Sequence, residues 1–186
     1  RPNQTIRFSF NRAFRAPSFI NSFLETGFLT KVDLGAAGQF TIPTVATGNS
    51  DLKEEGVSAY EVGYIGGFGR TTLGAAVYLN RTKNMIMFTQ SGAFTPVSPA
   101  RFTYMNFDNV SDRGLELSVD TRLTPALTAF ANYSWQADPK PTGFNVSELN
   151  LPPSHRANAG VSFTHGRYFG SLSGSFVDEA FWQDWD

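Results

Sequence analysis

Two histidines and one pair of carboxylates are the first candidates for acid–base or metal chemistry in this sequence. His155 and His165 are its two histidines, and the sequence contains no cysteine. A general base would therefore have to be one of these imidazoles. His155 stands at the start of a predicted strand and His165 in a tight turn, which favours structural roles for both. Glu116 and Asp120 lie on one face of a predicted strand and could form an acid pair or a metal site.

Neither arrangement predicts an enzyme. Hydrolytic catalysis would need a nucleophile with a base and a carboxylate aimed at it, and we find no convincing Ser/His/Asp set. A group of acidic residues after the last predicted strand lacks the spacing of a calcium loop, and we interpret it as solvated charge. This group consists of Asp178, Glu179, Asp184 and Asp186. The sequence therefore predicts no metal ion and no cofactor.

Charge and composition predict a β protein that does not bind nucleic acid. The sequence has 15 Lys and Arg against 16 Asp and Glu, so it offers no basic field for a phosphate backbone. It has no run of about 18 apolar residues, which argues against a membrane-spanning helix. Aromatic residues make up 15%, with 18 Phe, 17 Gly and only 17% charged residues, and this mixture favours strands over a helical bundle.

Alternation of apolar and polar residues predicts seven strands. In the first, Ile6, Phe8 and Phe10 share one face while Arg7 lies on the other. The strands are predicted near residues 4–13, 57–64, 72–79, 103–122, 127–135, 157–164 and 168–176. The fourth could be split around 106–113. We therefore predict an all-β fold, an antiparallel up-and-down meander of seven or eight strands.

The connections between these strands alternate between short and long. Tight turns are predicted near 66–70, 123–126 and 165–167, and long loops near 14–56, 90–102 and 136–153. In a meander, this alternation puts all short turns at one end of the sheet and all long loops at the other. The first long loop shows no sustained alternation, but within it Ser18 could cap a short helix over 18–24.

Two arrangements of the sheet are compatible with this alternation. A transmembrane barrel would turn the apolar rows to lipid and the polar rows to a wet interior. A soluble barrel of lipocalin type, which also has an open and a closed end, would bury the apolar rows instead. Glu61, Glu116 and Asp120 would then lie on ordinary solvent-exposed surface. Tyr133 and Trp135, at the end of an apolar row, favour the membrane because aromatic belts form at its interface.

Six segments, in this order and spacing, resemble the C-terminal half of the β-barrel of TonB-dependent outer-membrane receptors. They are RFSFNRAFRAPS, LKEEGVSAYEVGY, VYLNRTKNMI, NFDNVSDRGLELSVD, LTAFANYSW and LPPSHRANAGVSF. The resemblance implies part of an outer-membrane barrel of about 22 strands, closed around an N-terminal plug. It also implies TonB-driven uptake of a scarce nutrient such as a ferric siderophore, haem, cobalamin or a glycan.

On this resemblance, residues 1–186 form part of the barrel domain, and the plug domain and final strands are expected outside this sequence. Arg7, Glu61, Glu116 and Asp120 are expected to face the lumen, and aromatic loop residues are expected to contact ligand. Those loop residues are Phe23, Phe28, Phe40, Phe94 and Phe144. The expected partners are outer-membrane lipid, TonB acting through the plug region, and a small nutrient ligand. The alternative is a small self-contained β-barrel that binds an apolar ligand.

Overall fold

A computed structural model describes residues 3–33, 35, 38–92, 98–144 and 149–180. In these residues the chain forms twelve strands and one α-helix. The elements are β1 (Gln4–Arg15), α1 (Phe19–Phe23), β2 (Glu25–Asp33), β3 (Gln39–Thr47), β4 (Glu55–Phe68), β5 (Thr71–Lys83), β6 (Met85–Gln90), β7 (Ala100–Phe107), β8 (Val110–Arg122), β9 (Leu127–Gln136), β10 (Lys140–Pro141), β11 (His155–His165) and β12 (Tyr168–Val177). None of the described helical residues belongs to a segment with the length and apolarity of a membrane-crossing helix.

Seven strands form the main sheet in the order β1-β4-β5-β8-β9-β11-β12, and the short β10 pairs with β8. Each main strand lies beside the main strand that follows it in the chain, and the pairs β8–β9, β9–β11 and β11–β12 are antiparallel. The predicted all-β, up-and-down fold is therefore confirmed. β1 and β12 end this order, and each pairs with one strand in the described part of the chain. Within the described residues the sheet does not close on itself into a barrel.

A second sheet, in the order β2-β3-β7-β6, forms within the long connections. β2 and β3 make an antiparallel hairpin, β3 pairs with β7 in parallel, and β7 pairs with β6 antiparallel. The prediction that 14–56 is irregular is wrong here, since Gly27 and Pro43, which resemble strand breakers in the sequence, both lie within strands. Pro43 lies opposite Leu29 of β2, one residue before the ladder to β7 begins at Thr44, so it has a strand partner on one side only.

The segment predicted as one strand over 103–122 is two strands, β7 and β8, which belong to different sheets. The break falls at Asp108 and Asn109, within the region 106–113 where the sequence indicates a split. The loop predicted at 136–153 contains β10, whose two residues pair with the start of β8. The long connections therefore contain β structure of their own.

Short turns and long connections alternate as the sequence predicts. β4 and β5 are joined by Gly69 and Arg70, and β11 and β12 by Gly166 and Arg167. Gly69 has φ +63° and Gly166 has φ +60°, a left-handed conformation that residues with a side chain rarely adopt. The first turn is tighter than predicted because β4 continues to Phe68.

The chain forms two compact units. The first consists of Arg1–Arg12, Ser58–Arg81 and Val110–Asp186, and the second of Ala13–Val57 and Thr82–Asn109. In the second unit, Ile42 and Ile86 are buried, as is the side chain of Thr44. In the first, the buried apolar residues of the described part are Val110 and Leu149. The first unit therefore has little dry core, although it contains most of the main sheet.

α1 begins at a capping box, as the sequence predicts for Ser18. Ser18 Oγ accepts a hydrogen bond from Asn21 N at 3.1 Å, and Asn21 Oδ1 accepts one from Ser18 N at 2.9 Å. The helix is attached to the end of β3, because Gly48 N donates to Leu24 O at 2.6 Å and Asn49 N donates to Asn21 O at 2.9 Å. These contacts fix α1 against the residues that follow β3.

We predict that Gly48→Ala displaces α1 from the end of β3. The added methyl group would overlap the main chain of Phe23 and Leu24. Overpacking of this kind typically costs about 1–3 kcal/mol. The matched control is Gly170→Ala, where no atom lies within 4 Å of the added methyl group. Limited proteolysis of the full-length protein should cut near α1 faster in the first variant only, and equal cleavage rates would contradict this close approach.

Candidate functional site

The main sheet has one face that carries most of its polar and charged side chains, and we call it the polar face. In the registers of β8, β9 and β11, Glu116 lies opposite Ser134, which lies opposite Arg156, and Asn132 lies opposite Asn158. Residues directly opposite each other in adjacent strands share a face of the sheet. By alternation, the polar face of β8 and β12 also carries Asp112, Ser118, Asp120, Ser171, Ser173 and Ser175.

Side-chain contacts extend the polar face to β1, β4 and β5. Arg7 Nη2 forms an ion pair with Glu61 Oε1 across β1 and β4. Asn80 Nδ2 donates a hydrogen bond to Asp112 Oδ1 at 2.9 Å across β5 and β8. The four residues expected at a lumen are thus on one face of one sheet. They are Arg7, Glu61, Glu116 and Asp120.

A cavity of about 700 Å³ opens on the polar face. Residues of all seven main strands line it, and its polar and charged lining includes Arg7, Glu116, Asn132, Arg156 and Ser175. Cations, a carboxylate, an amide and a hydroxyl therefore stand along one surface, which suits reversible contacts with a polar chain or solute. In the described part of the chain, no three His, Asp or Glu side chains come close enough to hold a metal ion.

The opposite face, which we call the apolar face, exposes large hydrophobic side chains. Phe8 is 77% exposed on β1 and Leu172 is 75% exposed on β12. Leu117 on β8 is also exposed. The rings of Phe10 and Tyr60 contact each other across β1 and β4, with centroids 5.1 Å apart. A soluble barrel of lipocalin type would bury these rows, so their exposure speaks against that arrangement.

Both histidines lie on the apolar face, at the two ends of β11. His155 Nδ1 is 2.8 Å from Tyr133 Oη, and the two rings stack with centroids 6.1 Å apart. His165 lies beside Phe163, with ring centroids 6.4 Å apart. The full length of β11 separates the two imidazoles, and each contacts an aromatic neighbour. This placement fits the structural roles that the sequence predicts for them.

The aromatic residues expected to contact ligand lie in different elements. Phe23 is in α1, Phe28 in β2 and Phe40 in β3. Phe28 and Phe40 lie on the face of the hairpin that contains its buried row, and each is about half exposed. They combine packing with accessible ring surface. Phe144 is half-buried in the connection after β10, and Phe94 lies outside the described residues.

A second group of polar contacts, which we call the motif cluster, forms in the second unit. It consists of Arg15, Lys53, Glu55, Asn84, Ile86 and Asn106. Arg15 Nη2 donates to Glu55 Oε2 at 2.9 Å, and Ile86 N donates to the same oxygen at 2.9 Å. Glu55 is the more buried partner of the ion pair, since its side chain is 20% exposed against 61% for Arg15. Glu55 therefore ties the end of β1 and the starts of β4 and β6 together.

Asn106, at the end of β7, makes three hydrogen bonds in the motif cluster. Its Oδ1 accepts from Lys53 N at 2.7 Å, while its Nδ2 donates to Lys53 O at 3.0 Å and to Asn84 O at 2.8 Å. Asn84 Nδ2 in turn donates to Glu54 O at 3.3 Å. The donor and the acceptor of the Asn106 amide are both used, so the site requires asparagine and not aspartate.

The residues of the motif cluster come from four of the segments that carry the family resemblance. Arg15 lies in RAFRAPS, Glu55 in LKEEG, Ile86 in NMI and Asn106 in NFDNV. No pattern within these segments indicates that they meet in the fold. Their fixed order was the available signal, but a bond from a side-chain amide to remote main-chain groups leaves no local pattern in a sequence.

We predict that Asn106→Asp destabilises the second unit. The substitution keeps the shape but turns a carboxylate oxygen toward the carbonyl oxygens of Lys53 and Asn84, so two hydrogen bonds become repulsive contacts. The expected cost is roughly 2–4 kcal/mol. Asn158→Asp, the same change at an exposed position of the polar face, is the control. Hydrogen exchange in the full-length protein should accelerate around 53 and 84 in the first variant, and unchanged exchange there would count against the cluster.

Comparison with known proteins agrees with this geometry. The family model described as TonB dependent receptor-like, beta-barrel matches residues 1–186. No curated protein sequence matches the chain. The siderophore receptor PirA from Pseudomonas aeruginosa aligns with a TM-score of 0.71 and 16% identity, over 96% of this chain and 31% of that one. A mutant of the ferric enterobactin receptor PfeA from the same organism, in complex with enterobactin, aligns with a TM-score of 0.72 and 18% identity, over 96% and 26%.

A copper transporter, OprC, aligns with a TM-score of 0.66 and 14% identity, over 95% of this chain and 25% of that one. The chain thus spans about a third or less of the structures that it matches, and at these identities the likeness shows the fold alone. That fold is a section of an outer-membrane barrel, and the location is the outer membrane of Gram-negative bacteria. Since the family model covers the whole length, the chain belongs to the TonB-dependent receptor-like β-barrel family.

Proposed function

We propose that this chain is part of the wall of an outer-membrane transporter, with the polar face toward the lumen and the apolar face toward acyl chains. The observation that carries the proposal is the distribution of carboxylates. Within the seven main strands they are Glu55, Glu61, Asp112, Glu116 and Asp120. Alternation of side chains along β4 and β8 places all five on the polar face. The same strands place no Asp or Glu on the apolar face.

The energetics of a bilayer favour this orientation. A charged side chain that faces lipid costs up to roughly 2–4 kcal/mol at the middle of the hydrocarbon, with carboxylates at the lower end. Moving a large apolar side chain such as Phe8 or Leu172 from water into hydrocarbon gains roughly 1.5–3 kcal/mol. The reverse orientation would put charged side chains into hydrocarbon and large apolar side chains into water on most strands, so both contributions to the free energy would become unfavourable. In the proposed orientation, the four residues expected at the lumen would lie on the surface that faces a plug or a passing solute.

A wall of this kind binds and gates, and performs no covalent chemistry. The proposed activity is therefore energy-coupled uptake, with TonB and a plug domain as partners, as the family resemblance implies. A ferric siderophore is the proposed substrate class, because the names of two matched structures describe receptors for siderophores. A copper transporter shares the fold, so the substrate must be chosen by the connections and not by the wall. Haem, cobalamin and glycans are the competing nutrients.

The long connections are the proposed site of substrate contact. Phe23, Phe28 and Phe40 expose between 47% and 62% of their surface in the second unit. The motif cluster holds the strand ends of that unit together, so rings on its hairpin are presented from a fixed base. Phe94 and Phe144 are proposed contacts because they too lie in long connections.

We predict opposite environments for neighbouring residues of β8. The chain has no cysteine, so Leu117→Cys and Ser118→Cys variants of the full-length protein can each carry one nitroxide label, once any cysteine elsewhere is removed. In outer-membrane vesicles, the label at 117 should collide with oxygen dissolved in acyl chains, and the label at 118 with a water-soluble nickel chelate. Ala131→Cys and Asn132→Cys on β9 form a matched second pair. The reverse pattern in both pairs would overturn the orientation.

We predict that ferric enterobactin, used as the probe, binds the full-length protein and quenches its tryptophan fluorescence. Phe28→Ala with Phe40→Ala should weaken binding about tenfold or more, because each ring would lose a contact of the kind that dominates binding sites. Phe169→Ala is the control, since Phe169 is 86% exposed beside the short turn before β12. Binding of haem but not of ferric enterobactin would overturn the substrate class while leaving the transporter assignment intact.

A further inference from the structure

Three arginines depart from the pattern of the apolar face. Arg12 in β1, Arg81 in β5 and Arg113 in β8 lie on it among aliphatic and aromatic side chains. For Arg81 and Arg113 the assignment follows from the hydrogen bond between Asn80 and Asp112. Those two side chains share the polar face, so their neighbours in each strand point to the other face.

The register of β5 and β8 brings two of these arginines together. Asn80 of β5 contacts Asp112 of β8 near one end of this strand pair. At the other end, Thr71 Oγ1 and Thr121 Oγ1 are 2.8 Å apart, as expected if β5 and β8 keep one register along their length. In that register Arg81 and Arg113 are diagonal neighbours, within reach of one anionic group. Two long, flexible cations would repel each other here unless an anion stood between them.

All three arginines lie near the strand ends that lead to long connections. Arg12 is two residues beyond Phe10, whose ring contacts Tyr60 of β4. Aromatic rings on a lipid-facing surface typically mark the boundary between hydrocarbon and headgroups. Phe14, 75% exposed, follows two residues after Arg12 on the same face, so Arg12 lies at the level of such an aromatic boundary.

The height of the arginines above the short turns matches the thickness of a membrane. Arg81 is ten residues from the start of β5, about 34 Å along the strand. Because strands of outer-membrane barrels tilt by about 40°, this is about 26 Å along the membrane normal, close to the ~25 Å apolar band of such barrels. Arg113, nine residues from the end of β8, lies at about 23 Å by the same reasoning.

The three arginines are exposed, and none of them forms an ion pair with a carboxylate of the described residues. In the described part of the chain, the ion pairs within 4.0 Å are Arg7–Glu61 and Arg15–Glu55. The apolar face of the main strands, which carries no Asp or Glu, offers no other partner. An arginine that faces lipid is much less costly at the headgroup level than in the hydrocarbon, and least costly where a phosphate can pair with it.

We propose that Arg12, Arg81 and Arg113 form a basic band that binds the phosphate groups of anionic lipids in the leaflet nearest the long connections. The proposal rests on the orientation of the sheet given under the proposed function. A guanidinium group matches a phosphate with two parallel hydrogen bonds, and lipid phosphates are the anions present at this depth. The lipid's acyl chains would lie along the apolar face below, in contact with the Phe10 and Tyr60 rings.

The test uses the full-length protein in detergent micelles, with bound lipids counted by native mass spectrometry. Phosphatidylglycerol should bind about tenfold more tightly than zwitterionic phosphatidylcholine. Arg81→Gln with Arg113→Gln should remove that preference. An excess of inorganic phosphate should leave phosphatidylglycerol bound, because the acyl chains contribute to its affinity. Displacement by inorganic phosphate would reveal a site for a free anion and overturn the proposal.

The matched control removes the same charge elsewhere. Lys31→Gln with Arg101→Gln changes two exposed cations of the second sheet and should keep the preference for phosphatidylglycerol. If the test variant does not fold, Arg12→Gln alone should reduce the preference about threefold, and an unchanged preference would overturn the proposal.

The spin labels on β8 separate failure of the band from failure of the orientation. A label at 117 in acyl chains, together with an unchanged lipid preference in the arginine variant, would refute the basic band alone. A label at 117 in water would refute the orientation and, with it, the band.

Discussion

Main-chain amide and carbonyl groups have no water to bind in the hydrocarbon of a membrane, so each must pair with a neighbouring strand. The rest of this structure follows from that requirement. Seven strands pair in chain order, each with the next, and the two end strands β1 and β12 have partners on one side only in the described residues. Such edges need further strands from a complete barrel. Two faces are then left to meet two different surroundings.

In the proposed orientation the surroundings of the two faces differ in dielectric constant, and the distribution of side chains follows that difference. Carboxylates stay on the polar face, where Glu61 pairs with Arg7 and Asp112 accepts from Asn80. The apolar face exposes rings and aliphatic groups instead. Its three arginines lie near the strand ends, and Arg81 and Arg113 are about one membrane thickness from the short turns. The depth in the membrane therefore accounts for the positions of charged residues on the apolar face. On the polar face, ion-pair and hydrogen-bond partners account for them.

The long connections lie outside the main sheet and need other contacts to keep a defined structure. They do so with a sheet of their own, a buried row that includes Ile42 and Ala46, and the motif cluster at the strand ends. Glu55 and Asn106 bond to main-chain groups of other segments, which restrains loops that the turn chemistry alone would leave free. Under the proposed function, a substrate that reached these connections would meet a preformed surface. The connections, and not the barrel wall, would then set specificity.

Alternation of side chains was enough to predict β1, β9 and β11 to within about two residues, since each has faces in two different surroundings. β2 and β3 were not predicted, because Gly27 and Pro43 interrupt the alternation of apolar and polar residues. In addition, β3 pairs with β7, which follows some fifty residues later in the chain. The sequence by itself determined the fold class, the family and the shared face of Arg7, Glu61, Glu116 and Asp120, all of which depend on local period and order. Only the tertiary structure decided the second sheet, the motif cluster and the pairing of neighbouring arginines. These depend on which distant main-chain groups become hydrogen-bond partners, and no local repeat encodes that choice.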